Sequence, residues 1–157
     1  MVQSNSTSRL SRIKKSIILA QTDTTVGFLS QDAAKLREIK SRQSNKPFIK
    51  VFQNFKTLQK TNIRIPKSRK KMLRRAKKTT FIVKNQAFRI APYSLDSEVL
   101  RKLEWSYSTS ANESGRNYER SFCEQKADII VEDKQGLFEG RASRLYKINN
   151  TKIKRLR

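Results

Sequence analysis

Apolar residues in this chain come in short bursts of three to five, separated by polar and basic stretches. Residues 16–20, Ser-Ile-Ile-Leu-Ala, read as a buried strand that runs into a threonine-rich turn. Residues 31–40 predict a helix, because Ala33, Leu36 and Ile39 recur every third position on one face. Residues 48–52, Phe-Ile-Lys-Val-Phe, predict a strand, and residues 55–59 a short helix. Pro66 opens a basic helix reaching about Lys77, since proline suits a first turn. Residues 79–83 and 87–90 read as paired strands around a turn at Asn85. A helix start is written at Ser94 to Glu98, and Val99, Leu100 and Leu103 supply its apolar face. Beyond it, residues 105–109 predict a strand, 118–126 a helix and 128–131 another strand. Residues 144–148 and 152–156 predict a closing hairpin across Asn149 and Asn150.

Strands and helices mix without an internal repeat, which predicts one α/β (α+β) domain: a mixed, twisted sheet flanked by helices. Residues 1–15 are polar, serine-rich and basic, and are expected to be a flexible segment ahead of a domain spanning 16–157. Apolar residues make up 36% of the chain, so the core is expected to be compact and much of the surface basic. No apolar run approaches the roughly 18 residues a membrane span requires, and the start of the chain lacks a secretory leader pattern. Cys123 is the single cysteine, which excludes an internal disulfide. It reads as a buried helix residue, and the expected compartment is the reducing cytoplasm. Histidine is absent altogether, so a Ser-His-Asp triad and histidine-held zinc are excluded.

The formal net charge is +23, and it is unevenly spread. Residues 39–95 hold seventeen Lys or Arg and no Asp or Glu, whereas residues 96–139 hold ten acidic and six basic residues. Such segregation creates an electrostatic face able to concentrate a polyanion. Its densest part is residues 67–78, with eight cations in twelve positions. There Lys70, Lys71, Arg74 and Arg75 are candidate contacts for tRNA or double-stranded RNA, read by shape rather than sequence. No aromatic residues are interleaved with them to stack bases.

Candidate chemistry lies in three separated stretches. Gln21-Thr-Asp-Thr-Thr-Val-Gly27 puts hydroxyls and a glycine at a strand end, where ligands bind in open α/β sheets. Lys40-Ser-Arg42 and Asn45-Lys-Pro47 follow a predicted helix with fixed cations suited to phosphate oxygens. Thr109-Ser-Ala-Asn-Glu-Ser-Gly115 gathers hydroxyls and an amide in a turn after a strand.

Taken together these stretches resemble the YrdC/YciO family of threonylcarbamoyl-AMP synthases, with a YrdC/RibB-like fold, over about residues 17–156. Gln21 to Gly27 resembles the family's Pro-Thr-Asp-Thr-Val-Tyr-Gly. Lys40-Ser-Arg42 with Lys46-Pro47 is similar to its Lys-Gly-Arg-Pro and Lys-Pro pattern. Residues 109–115 match its Thr-Ser-Ala-Asn-x-Ser-Gly in full. Thr80, Phe88-Arg89 and Ala142-Ser143-Arg144 resemble later, weaker segments. The chain departs from the pattern at Gln21 and Val26, at Lys77-Lys78 in place of Gly-Pro, and in a shortened stretch between Gly27 and Lys40.

The resemblance implies a nucleotidyltransferase that joins L-threonine, bicarbonate and ATP into threonylcarbamoyl-AMP and pyrophosphate. That product would pass to a threonylcarbamoyl-transferase complex that modifies the adenosine beside the tRNA anticodon. It implies catalytic roles for Lys40 and Arg42, and ATP contacts from Lys40, Arg42, Lys46, Thr80, Ser110, Asn112 and Ser143. Thr22, Thr24 and Arg89 would take threonine, with Arg89 on the carboxylate. Magnesium would be held by ATP phosphates rather than by protein side chains. An RNA-binding protein of the same fold without synthase activity is the alternative, and a carbamoyl-transfer relative is a third.

Overall fold

The computed structural model describes residues 5–41, 47–91 and 97–157, with side chains from residue 9 onward. Helix α1 (Asn5–Lys15) is followed by strands β1 (Ile18–Gln21) and β2 (Val26–Ser30), helix α2 (Ala33–Lys40), strand β3 (Ile49–Phe52) and helix α3 (Phe55–Gln59). A 3-10 turn at Lys67–Arg69 leads into α4 (Lys70–Arg75), then strands β4 (Thr79–Val83) and β5 (Gln86–Ile90). The chain continues through α5 (Glu98–Arg101), β6 (Trp105–Ser110), α6 (Arg120–Lys126), β7 (Ile129–Val131), β8 (Arg144–Ile148) and β9 (Ile153–Arg155).

Among the described residues all strands join one nine-stranded sheet in the order β7-β1-β2-β6-β3-β5-β4-β8-β9. It is mixed: β1/β7, β3/β5 and β4/β8 run parallel, and the other neighbours antiparallel. The mixed sheet with flanking helices agrees with the architecture expected from the sequence.

Three local outcomes differ from expectation. Of the segment expected to be flexible, the described residues 5–15 form α1, because Ile13 packs against Ile18, Ala20, Leu29, Leu100 and Leu103, and Gln31 N–H donates to Lys14 O at 2.9 Å. Strand β2 was not anticipated; all five residues are buried, so it lacks the polar alternation that advertises a strand. The basic helix is broken into the 3-10 turn and six residues of α4, with Leu73 as its buried anchor. The expected helix start at Ser94 lies partly outside the described residues, but Ser97 caps α5 by accepting from Leu100 N–H.

The two faces of the sheet differ in kind, and β6 shows why. Its sequence alternates Trp105, Tyr107 and Thr109 with Ser106, Ser108 and Ser110. Successive strand residues point to opposite faces, so one face receives aromatics and the other serines. On the aromatic face, α2 and α6 pack Leu36 and Cys123 onto Leu19, Phe28 and Phe48, while α3 and α4 pack Leu58 and Leu73 onto Phe52, Phe81 and Phe88. Each fully buried Leu or Phe stabilises by roughly 1.5–3 kcal/mol. On the other face α1 and α5 cover the β1–β2 end, through Ile13, Leu100 and Leu103. Beyond them lies a hollow floored by small and hydroxyl-bearing residues.

Candidate functional site

That hollow is a pocket of about 250 Å³ lined by Thr22, Thr24, Thr25, Gly27, Ile49, Arg89, Ser108, Ser110, Ala142, Ser143 and Arg157, with Pro47 and Thr109 at its wall. Gly27 makes room for it: a Cβ there would lie 3.0 Å from Thr109 O and 3.2 Å from Thr22 Cγ2.

The turn between β1 and β2 is tied by its own hydroxyls. Thr22 Oγ1 donates to Thr25 O at 2.7 Å and accepts from the N–H groups of Thr24 and Thr25 at 3.2 and 3.3 Å. With its proton committed, Thr22 Oγ1 is the acceptor in its 3.2 Å contact with Thr24 Oγ1. Thr24 Oγ1 in turn accepts from Arg89 Nη1 at 3.1 Å. Thr22 thus spends its hydroxyl on the turn, whereas Thr24 and Arg89 form a pair at the cavity.

A strap after β7 closes the opposite wall. Phe138 O accepts from Val26 N–H at 3.1 Å, Phe138 N–H donates to Gln21 Oε1 at 3.0 Å, and Gly140 N–H donates to Thr25 Oγ1 at 3.0 Å. Only a glycine fits there, because a Cβ on Gly140 would lie 2.0 Å from Thr24 O. The strap delivers Ser143 to the pocket, where its hydroxyl meets Thr80 Oγ1 at 2.8 Å; both side chains are buried.

Lys40, in the last turn of α2, is 8% exposed and stands behind the pocket rather than in its lining. Its ammonium donates to Ser110 O at 3.1 Å, Asn112 O at 2.7 Å and Asn112 Oδ1 at 2.8 Å. Ser110 Oγ also donates to Asn112 Oδ1, at 2.7 Å. The cation and the amide that the sequence separates by seventy-two positions therefore form one knot, which fixes the loop beside the cavity. Arg42 and Lys46 lie outside the described residues.

A second, broader basin of about 560 Å³ shares Thr24, Ala142, Ser143 and Arg157 with the pocket. Lys77, Lys78, Arg141, Arg144 and Arg155 complete it, and no Asp or Glu is among its described lining residues. Three of its guanidinium groups are anchored on carbonyls. Arg144 Nη2 donates to Lys77 O at 3.0 Å, Arg157 Nε to Ser143 O at 3.1 Å, and Arg155 Nε to Arg157 O at 3.2 Å. By contrast, Lys71, Arg74 and Arg75 are exposed on α4, Lys70 is half-buried, and Arg74 lies 4.5 Å from the Phe55 ring centroid.

So the structure brings Thr22, Thr24, Arg89, Ser110 and Ser143 to one cavity, with Thr80, Lys40 and Asn112 in the layer behind it. The four α4 residues stand apart from it. The sequence reading named Thr25 only as a hydroxyl of the strand-end turn and passed over Ser108, Gly140 and Arg157. The serine-aromatic alternation of β6 was the signal for Ser108; Arg157 left none, being brought in only by the pairing of β9 with β8.

The family profile for Sua5_yciO_yrdC, described as "Telomere recombination", matches residues 13–157. The chain belongs to the Sua5/YciO/YrdC family. No curated protein matches it. Among solved structures, this family member is similar to P. abyssi Sua5 complexed with L-threonine, at 18% identity and a TM-score of 0.71, covering 95% of this chain and 52% of that one. E. coli YciO gives 13% identity and a TM-score of 0.71, over 96% of this chain and 86% of that chain. Full-length HypF in its phosphate- and nucleotide-bound form gives 14% identity and a TM-score of 0.70, over 96% and 28%. The chain thus spans about half the length of Sua5. At these identities the likeness shows the fold.

Proposed function

We propose that this chain makes threonylcarbamoyl-AMP and pyrophosphate from L-threonine, bicarbonate and ATP, for tRNA threonylcarbamoyladenosine modification. One observation carries the reading. The Arg89–Thr24 pair, the Ser143–Thr80 pair and the Lys40–Ser110–Asn112 knot surround one cavity of about 250 Å³.

The chemistry suits such a site. Threonine N-carboxylated by bicarbonate is an anion, and its new carboxylate oxygen must attack the α-phosphorus of ATP while the bond to pyrophosphate breaks. Positioning and charge neutralisation are the main demands, and neither needs a protein nucleophile. In this reading Arg89 receives the threonine carboxylate, Thr24 orients it, and Ser110 and Ser143 hold the nucleotide. Thr80 acts through Ser143, and Lys40 acts through Asn112 and the loop it fixes. Arg157 and the basin would neutralise the triphosphate, together with Arg42 and Lys46. Among the described residues no three His, Cys, Asp or Glu side chains gather into a metal site. Magnesium is proposed to arrive as the ATP complex, held by phosphate oxygens. A threonylcarbamoyl-transferase complex would consume the product. P. abyssi Sua5 complexed with L-threonine, and HypF in its phosphate- and nucleotide-bound form, support this assignment.

The decisive experiment incubates the protein with ATP, magnesium, bicarbonate and labelled L-threonine. Labelled adenylate and pyrophosphate, both dependent on bicarbonate, are expected. Formation of neither would refute the reading.

The basin favours a second reading, RNA binding, because six cations line one concavity with no Asp or Glu among its described lining residues. Affinity for a short RNA hairpin should then fall steeply with salt, its slope shrinking by about one for each phosphate contact removed. Loss at Lys77 and Lys78 exceeding loss at Lys70 and Lys71 would assign the RNA to the basin rather than to α4.

A further inference from the structure

Arg89 enters the pocket from β5 with its side chain 5% exposed, and it meets two neighbours in the β1–β2 turn. Nη1 donates to Thr24 Oγ1 at 3.1 Å, while Nη2 lies 3.2 Å from Asp23 Oδ1. The Asp23 side chain is 20% exposed and does not line the cavity. Among the described residues, no Asp or Glu lines the pocket or the basin beside it.

Asp23 is not needed to shape the turn. Thr22 Oγ1 and the Gly140 N–H already brace it, and Asp23 Oδ1 is buried yet accepts no hydrogen bond of good geometry among the described residues. Its contact with Arg89 is one of charge. A guanidinium this deeply buried is costly without a counter-ion, so the carboxylate beside it fixes where it sits. The same carboxylate repels any anion that Arg89 attracts.

We propose that Asp23 is a positioning residue that acts through Arg89 and moderates the charge it offers to a ligand carboxylate. This rests on the reading in which Arg89 receives the carboxylate of threonine. Asp23 then acts as an internal competitor for Arg89. It keeps the site from clasping every small carboxylate tightly, and it is displaced in charge, not in place, when the right ligand arrives.

Asp23→Asn keeps the size and an oxygen acceptor while removing the charge; Asp23→Ser removes the charge with a smaller side chain. L-threonine and L-threoninamide, which lacks the carboxylate, are titrated by calorimetry into the full chain and both variants. Removing like-charge repulsion a few ångströms away in a partly dry site should tighten L-threonine roughly tenfold. Threoninamide should bind as it does to the wild type, so the acid-to-amide preference rises. A residue with a merely structural role would weaken both ligands together. Unchanged or weaker L-threonine binding in both variants, with wild-type binding intact, overturns the role of Asp23 and leaves the threonine reading standing. Absence of L-threonine binding to the wild type overturns both.

Discussion

Lys40 sits where a mobile surface cation would be useless as a clamp and a buried one is effective. Its ammonium donates to three acceptors on Ser110 and Asn112, so the side chain is a bolt through the loop. Lys40→Met should destabilise the fold by about 1–3 kcal/mol, through part-buried acceptors of the loop that lose their charged donor. If the synthase reading holds, it should also cost on the order of 10²–10³ in rate. Denaturant unfolding and pyrophosphate release measure the two effects, and an unchanged rate would remove Lys40 from the machinery. Gly140 is as constrained for a steric reason. Gly140→Ala drives a methyl toward Thr24 O and should cost about 1–3 kcal/mol by overpacking, seen as a lowered Tm. Lys50 has the opposite character: its ammonium lies 3.9 Å from the Trp105 ring centroid and 5.6 Å from that of Phe52. Burial lowers its pKa from the ordinary 10.5. The unfolded chain therefore holds that proton more tightly than the folded one, and stability rises with pH between the lowered value and 10.5. Measured against Lys50→Met, the wild type should gain relative stability over that alkaline window; a flat difference would refute the assignment. Of these residues the sequence exposed Lys40 as a site candidate, because a cation after a helix and before a Lys-Pro strand entry is a local pattern. It was silent on Gly140 and Lys50, whose roles depend on atoms far away in the chain.

Elements were legible wherever one face is buried and the other wet. Strand β6 alternates cleanly, and so its bounds were close at sight. Strand β2 was missed because burial on both faces erases the period. Helix α1 was missed because its few apolar residues acquire meaning only when Ile13 meets β1, β2 and α5. Helix α4 holds to the sheet through Leu73, so Leu73→Ala should cost about 2–5 kcal/mol in unfolding free energy, far more than any single α4 cation. Helix α6 is joined to the turn after β7 by Arg120, whose Nη1 and Nη2 meet Glu132 at 2.9 and 2.7 Å. Arg120 holds the Glu132 carboxyl below its ordinary 4.5, so this tie is present at neutral pH and lost as pH falls through the lowered value. Because the pair is exposed, the effect should be small and should fade in high salt. Acid titrations of wild type and Glu132→Gln at two ionic strengths would show it. Inside α6, burial raises the Cys123 thiol above its ordinary 9.0, which makes it a poor nucleophile. Native protein should resist alkylation until it unfolds.

At the scale of the whole molecule, charge and topology work together. No helix among the described residues is long and apolar enough to cross a membrane. Six of the cations line the basin. If anions are recruited there, their association rate should drop steeply between low and physiological salt, as steered encounters do. Rapid-mixing measurements across that range test the point, and a salt-independent rate would refute it. The order of residues alone settled the mixed α/β class, most element bounds and the three polar stretches that mark the family. It could do so because hydrophobic period, caps and turn residues are properties of near neighbours. Only the folded sheet decided which of those stretches meet. Strand order brings β5 and β6 to either side of β3, and a strap runs from beyond β7 to β8. That path sets Arg89 beside Asp23, Ser143 on Thr80, and Arg157 at the pocket's rim. Such meetings are fixed by the closing of long loops around a shared core, and nothing in local patterning encodes their outcome.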